Sequence, residues 1–221
     1  MSRLVVKVGG RVASDSASAV VELARANDVC VVHGAGPQIS AEMERAGIPV
    51  EFVGGRRVTT AEGLAIVRRS FQAVNDQLCA LIGERAVGLF GDEAGLQVEP
   101  VPELGLVGEA RPVPLPDLDR LLDAGRIPVV ATVTRGLNVN ADSAAAAIAS
   151  GLRADRLLFL TDVDGLILDG EVVDSIDPDS AEELLRGGAL VGGIIPKLAA
   201  AVAAARSGVP AAIGRTEVPV A

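Results

Sequence analysis

A chain that reads IPVVATV over residues 127–133 and GLNVNADSAAAAIASG over residues 136–151 has few folds open to it. The first run is almost wholly apolar, follows the turn-like Gly125-Arg126, and carries Pro128 at its second position, where a strand tolerates proline. A strand without polar alternation is buried on both faces, as in parallel sheets covered by helices. The Ala- and Ser-rich run that follows reads as a helix packed closely against that sheet. Between them stand Asn138, Asn140 and Asp142. Asn or Asp at such a junction can cap the helix N-terminus. The junction is also the carboxyl end of a parallel strand, where open α/β sheets bind ligands. A cap alone accounts for Asp142; further glycine-rich and polar signals at equivalent strand ends favour a site.

Those signals recur along the chain. Arg3–Val8 (RLVVKV) reads as a strand running into Gly9-Gly10. Lys7 sits inside it, where a charge is costly without a partner. It is either a lysine on an edge strand or one that faces a phosphate, and the glycines beside it favour the second. A helix is expected over residues 16–27, then a strand over Asp28–His33 and a turn, Gly34-Ala35-Gly36-Pro37. Proline at the first helical position is favourable, and a glycine turn at a helix N-terminus suits an anion. This is not the GxGxxG dinucleotide fingerprint, because Ile39 stands at the third glycine position. His33 has no acidic or nucleophilic partner in sequence and reads as structural.

Gly54-Gly55 implies a hairpin within residues 50–59, ending in Arg56-Arg57-Val58-Thr59. Such an arginine pair is either a solvated turn or a bidentate clamp for a carboxylate. In residues 60–82, Leu64, Val67, Phe71, Val74, Leu78 and Leu81 form a helical seam. It serves either the core or a helix-on-helix homodimer contact. Further strands are expected at Ala86–Phe90, Arg156–Leu160 and Val209–Ile213, and further helices at 115–124 and 180–186. A type I′ hairpin is expected at Asp169-Gly170. The glycine-rich stretch 187–197 opens a last helix to about residue 207. Lys197 near its start opposes the helix dipole, so an inward-facing Lys197 needs an anionic neighbour.

Composition narrows the function classes. With 221 residues, 49% of them hydrophobic, the chain suits one large α/β domain or two joined lobes. No apolar run reaches the roughly 18 residues of a membrane span, and Met1 stands two residues before the first strand. A cytoplasmic location is the expectation. A net charge of −9 argues against nucleic-acid binding but not against a local anion site. Cys30 and Cys79 lack CxxC spacing and read as reduced thiols. One histidine and no Trp or Tyr leave no His-based metal cluster and no tyrosine chemistry.

Six motifs in order carry a resemblance. They are Lys7-Val8-Gly9-Gly10, the run from His33 to Gln38 (HGAGPQ), that from Gly55 to Thr59 (GRRVT), that from Asn138 to Asp142 (NVNAD), that from Leu160 to Gly165 (LTDVDG) and that from Gly192 to Lys197 (GGIIPK). Together they resemble the amino-acid kinase family, most closely its members that phosphorylate N-acetylglutamate, from the first strand almost to the last residue.

The resemblance implies a three-layer αβα sandwich with a mainly parallel central sheet. Residues 1–150 would hold the acyl amino acid and residues 151–221 ATP with Mg2+, the metal carried by the nucleotide rather than by protein ligands. By the same resemblance, Lys7 and Lys197 neutralise the transferring phosphoryl group and Asp142 holds the two lysines. Gly34, Ala35, Gly36, Arg57 and Asn138 bind the amino-acid substrate. Gly9, Gly10, Thr161, Asp162, Gly165 and Gly193 face the nucleotide. Ala35 and Asp164 depart from the family pattern, which has glycine and often proline there. No N-terminal extension of the kind tied to arginine-inhibited hexamers precedes the first strand, so a homodimer is expected.

The implied reaction fits the inventory. A side-chain carboxylate, with a pKa of roughly 4, is already ionised at neutral pH and needs no general base. What it needs is two anions brought together and their charge stabilised in line. The activity implied is ATP-dependent phosphorylation of the γ-carboxylate of N-acetylglutamate, a step of arginine biosynthesis. A kinase for aminoadipate or a carrier-linked amino acid, and a non-catalytic ligand-binding relative, stand as alternatives.

Overall fold

The computed structural model describes residues 1–9, 13–161 and 163–220. The first half runs β1 (Ser2–Val8), α1 (Ala13–Leu23), β2 (Asn27–His33), α2 (Gly36–Arg45), β3 (Phe52–Val53), β4 (Arg56–Arg57), α3 (Ala61–Ile82) and β5 (Ala86–Phe90). There follow β6 (Val98–Pro100), β7 (Val107–Ala110), α4 (Pro116–Asp123), β8 (Ile127–Ala131), β9 (Asn138–Val139) and α5 (Ala141–Gly151). The last third holds β10 (Arg156–Leu160), β11 (Ile167–Leu168), β12 (Glu171–Val172), α6 (Pro178–Gly187), α7 (Ile194–Arg206), β13 (Ala211–Ile213) and β14 (Thr216–Val218).

Seven strands make one sheet in the order β14-β13-β10-β1-β2-β8-β5, parallel throughout except for the pair β13–β14. Strand alternation sorts the apolar residues into two cores. Leu4, Val6, Val29, Val31 and Val129 pack with α1, α2 and α3 on one face. Val5, Cys30, Val32, Val130, Leu157 and Phe159 pack with α4, α5 and α7 on the other. This is the expected αβα sandwich, and the sheet continues without a break across residue 150.

The topology removes one of the two readings of Lys7. β1 lies between β10 and β2, so Lys7 is not on an edge strand. It shares the parity of Val5 and therefore the α5 face. Elsewhere the boundaries move for local reasons. Helix α1 stops at Leu23, where Asn27 Nδ2 donates to the Leu23 carbonyl at 2.9 Å and the chain turns into β2. Helix α2 begins at Gly36, one residue before Pro37. Asp169 and Gly170 have φ of 51° and 85°, as a type I′ turn requires. In α3 the seam residues Leu64, Val67, Phe71, Val74 and Leu78 are buried within the chain, whereas Leu81 is 47% exposed.

Candidate active site

The carboxyl ends of β1, β2 and β10 open into a cavity of about 970 Å³, and every described residue that the resemblance assigns to the site lines it. Gly10 and Asp162 lie outside the described residues. At the centre stands Asp142. Asn140 caps α5, its Oδ1 accepting from the amides of Asp142 at 2.9 Å and Ser143 at 3.1 Å. The cap fixes the first turn, and the helix N-terminus favours the Asp142 carboxylate. Lys7 Nζ approaches Asp142 Oδ1 at 2.7 Å from the sheet, and Lys197 Nζ approaches Oδ2 at 3.7 Å from the first turn of α7. One carboxylate thus draws two ammonium groups, one from β1 and one from α7. The anionic neighbour expected for Lys197 is Asp142, and Lys197 also donates to the Gly193 carbonyl at 3.3 Å.

Arg57 is held from several directions. Its Nη2 donates to the Gly36 carbonyl at 3.1 Å and to Ser40 Oγ at 2.8 Å, and its guanidinium lies 4.6 Å from the Phe52 ring centroid. Burial lowers its pKa from the ordinary arginine value. Ser40 does not stand out in the sequence, and Thr59 does so only as the end of the GRRVT run, without a role of its own. Ser40 follows Gly36 by one helical turn, which puts both on the face of α2 that meets Arg57. Thr59 Oγ1 accepts from Asn138 Nδ2 at 3.1 Å and donates to the Arg57 carbonyl at 3.0 Å, linking β9 to the β3–β4 hairpin. A Cβ added at Gly55 would lie 3.9 Å from Pro196 Cγ, so the hairpin faces α7 next to Lys197.

The described glycines of the turns line the cavity. A Cβ at Gly9 or Gly36 would meet nothing within 4 Å, which leaves backbone open to a ligand in the cavity. Gly34 and Ala35 line the same wall, while Thr161, Gly165 and Gly193 line the side formed by residues 160–197. Gly165 is hemmed in by β14: Thr216 Oγ1 would lie 2.5 Å from its Cβ, and the same hydroxyl accepts from the Leu166 amide at 2.8 Å. His33 is fully buried behind the turn, and burial lowers its pKa to about 4. Cys30 is buried in the sheet, which pushes its thiol up to about 12, so it is an inert core residue. Among the described residues, no group of three or more His, Cys, Asp or Glu side chains is placed to hold a metal ion. No helix is long and apolar enough to cross a membrane among the described residues. Paired ammonium groups and open glycine turns at one cavity suit two anionic ligands, a carboxylate and a polyphosphate.

The chain is similar to known proteins along almost its whole length. The acetylglutamate kinase of Nocardioides sp. is 44% identical, the match covering 95% of this chain and 76% of the relative. That of Rubrobacter xylanophilus is 43% identical, over 96% of this chain and 88% of the relative. The crystal structure of the smu.665 protein of Streptococcus mutans superposes with a TM-score of 0.90 at 27% identity and covers 99% of both chains. The family model described as amino acid kinase family matches residues 2–215, nearly the whole sheet and both walls of the cavity. By fold and by sequence, then, the chain belongs to the amino acid kinase family.

Proposed function

We propose that this chain is an acetylglutamate kinase, moving the γ-phosphoryl group of ATP onto the γ-carboxylate of N-acetylglutamate in arginine biosynthesis. The observation that carries the reading is the placement of Lys7 and Lys197 on the two oxygens of Asp142 in one cavity. Relatives 44% and 43% identical that bear the name acetylglutamate kinase support the substrate. The ATP fit rests on the cavity itself. It offers about 970 Å³, open backbone at Gly9 and two cationic side chains, in the size range of sites for ligands of this kind.

In this reading the attacking carboxylate arrives ionised and no residue takes a proton from it. Arg57 and Asn138 hold the substrate's own carboxylate and amide from the hairpin side, with Gly34, Ala35 and Gly36 closing that wall. Thr161, Gly165 and Gly193 receive the nucleotide together with Gly9 from the other lobe, so residues 151–221 serve the nucleotide and residues 1–150, apart from the turn at Gly9, the amino acid. Lys7 and Lys197 stabilise charge as it spreads over the transferring group, and Asp142 keeps both ammonium groups aimed. Magnesium would enter with ATP rather than on protein ligands and would supply charge neutralisation on the phosphates. We place the reaction in the cytoplasm and the protein in a homodimer whose contact uses α3.

The test is ADP release coupled to trapping of the acyl phosphate by hydroxylamine, run with N-acetylglutamate and with N-acetylaminoadipate. Turnover with the first well above the second is expected. Faster turnover with aminoadipate, or ADP release without a trapped acyl phosphate, contradicts the proposal.

A further inference from the structure

His33 is the sole histidine of the chain. Strand alternation turns its ring toward α3, where Phe71 lies 5.6 Å away between ring centroids and Asn75 Nδ2 lies 3.0 Å from Nε2. On its other side, Nδ1 is 3.3 Å from the carbonyl oxygen of Gly34. None of these groups except Phe71 and Gly34 lines the cavity.

Asn75 settles which ring nitrogen holds the proton. Its Nδ2 is 2.8 Å from the Val129 carbonyl, which can only accept, so the amide nitrogen rather than the oxygen faces that carbonyl. The amide oxygen is turned to Cys79 Sγ, 3.6 Å away. The same nitrogen therefore donates to His33 Nε2, which must be unprotonated. Burial keeps the ring neutral near neutral pH, so it has a single N–H. That N–H is on Nδ1 and donates to the Gly34 carbonyl.

The consequence reaches the cavity through one peptide unit. A trans peptide is planar, so a Gly34 carbonyl aimed back at His33 sends the Ala35 N–H the opposite way. The Gly34 N–H is already taken by the Val8 carbonyl at 3.2 Å. Ala35 lines the cavity wall and stands at the N-cap of α2, where no side chain caps the helix. We propose that His33 and Asn75 are positioning residues for phosphoryl transfer: the Nδ1–H tautomer imposed by Asn75 pins the Gly34 carbonyl and so aims the Ala35 amide at the reacting oxygens. The inference rests on the reaction proposed above.

Two measurements test it. Nitrogen-15 NMR of the single imidazole in the unaltered protein should show the Nδ1–H tautomer at pH 7.5. The second compares His33→Asn with His33→Gln, because an asparagine amide nitrogen can occupy the place of Nδ1 and a glutamine one that of Nε2. The glutamine variant should lose at least about tenfold in kcat with KM for both substrates little changed, the order expected when a reacting contact is misplaced. The asparagine variant should recover most of that loss. An Nε2–H tautomer, or a glutamine variant as fast as the asparagine one, overturns the proposal. If neither variant folds, the NMR result alone decides it. An unaltered chain that shows the Nδ1–H tautomer but no turnover with N-acetylglutamate overturns the assigned reaction and leaves the network standing.

Discussion

Lys7 and Asp142 meet 2.7 Å apart with side chains only 7% and 8% exposed, so neither is solvated well enough to stand alone. Removing Lys7 leaves the buried Asp142 carboxylate only the longer 3.7 Å contact with Lys197, at a cost of roughly 3 kcal/mol. Lys7→Ala should therefore lower the unfolding free energy by about that much. The double variant Lys7→Ala/Asp142→Asn should regain most of the loss while remaining inactive, as read by urea denaturation beside the turnover assay. A single variant as stable as the unaltered chain would mean that water already solvates the pair. His33 supplies a pH test. Burial holds its pKa near 4 against an ordinary 6.5, so between those values the unfolded chain binds a proton that the folded one refuses. Its neutral state costs nothing above pH 6.5, and stability is lost as pH falls from there toward 4. Between pH 7.5 and 5 the loss from this residue should be about 2 kcal/mol. His33→Asn should lack that part of the slope; equal slopes would place the titration elsewhere. At this scale the sequence was informative wherever a residue type is costly out of place: a lysine within an apolar strand, or an aspartate opening a buried helix. Ser40 was not legible, and Thr59 was legible only as the end of a motif, without its role. A hydroxyl within a helix or at a strand end costs little, and only the fold shows that these two hold Arg57 and Asn138.

Elements were legible where periodicity is long and boundaries carry a cap or turn. The seam of α3 and the β8–α5 junction belong to that class; Thr60 caps α3, its Oγ1 accepting from the Gly63 amide at 3.1 Å. Strand β14 was not, because three residues on an antiparallel edge show no period. Yet it is β14 that brings Thr216 to Leu166, one residue past the cavity-lining Gly165. For α3, periodicity alone left core and dimer seam undivided. Within the chain, the seam up to Leu78 is occupied by α1, α2 and the sheet. A homodimer contact must therefore use the outer face, which carries Arg69, Ala73, Asp76 and Ala80 around the exposed Leu81. Light scattering should give twice the 22.5 kDa chain mass, and Ala73→Arg should return the monomer. A monomeric unaltered protein, or a dimer indifferent to Ala73→Arg, would move the contact off this helix.

Across the whole molecule, one sheet gathers residues from positions as far apart as 7, 142 and 197 over a single cavity. The order of motifs announced that convergence, but not the distances that make it chemistry. Those follow from β1 lying centrally beside both β2 and β10, and from α5 and α7 packing side by side on one face. Lys197 offers the cleanest test, since it is 17% exposed and 3.7 Å from Asp142, so its removal leaves the Lys7–Asp142 pair in place. The decisive measurement is kcat of Lys197→Ala with ATP, magnesium and N-acetylglutamate, with thermal unfolding followed in parallel. The account predicts a fall of about a hundredfold to a thousandfold at an unchanged melting temperature. A folded variant turning over within about threefold of the unaltered chain, far short of that loss, would contradict it.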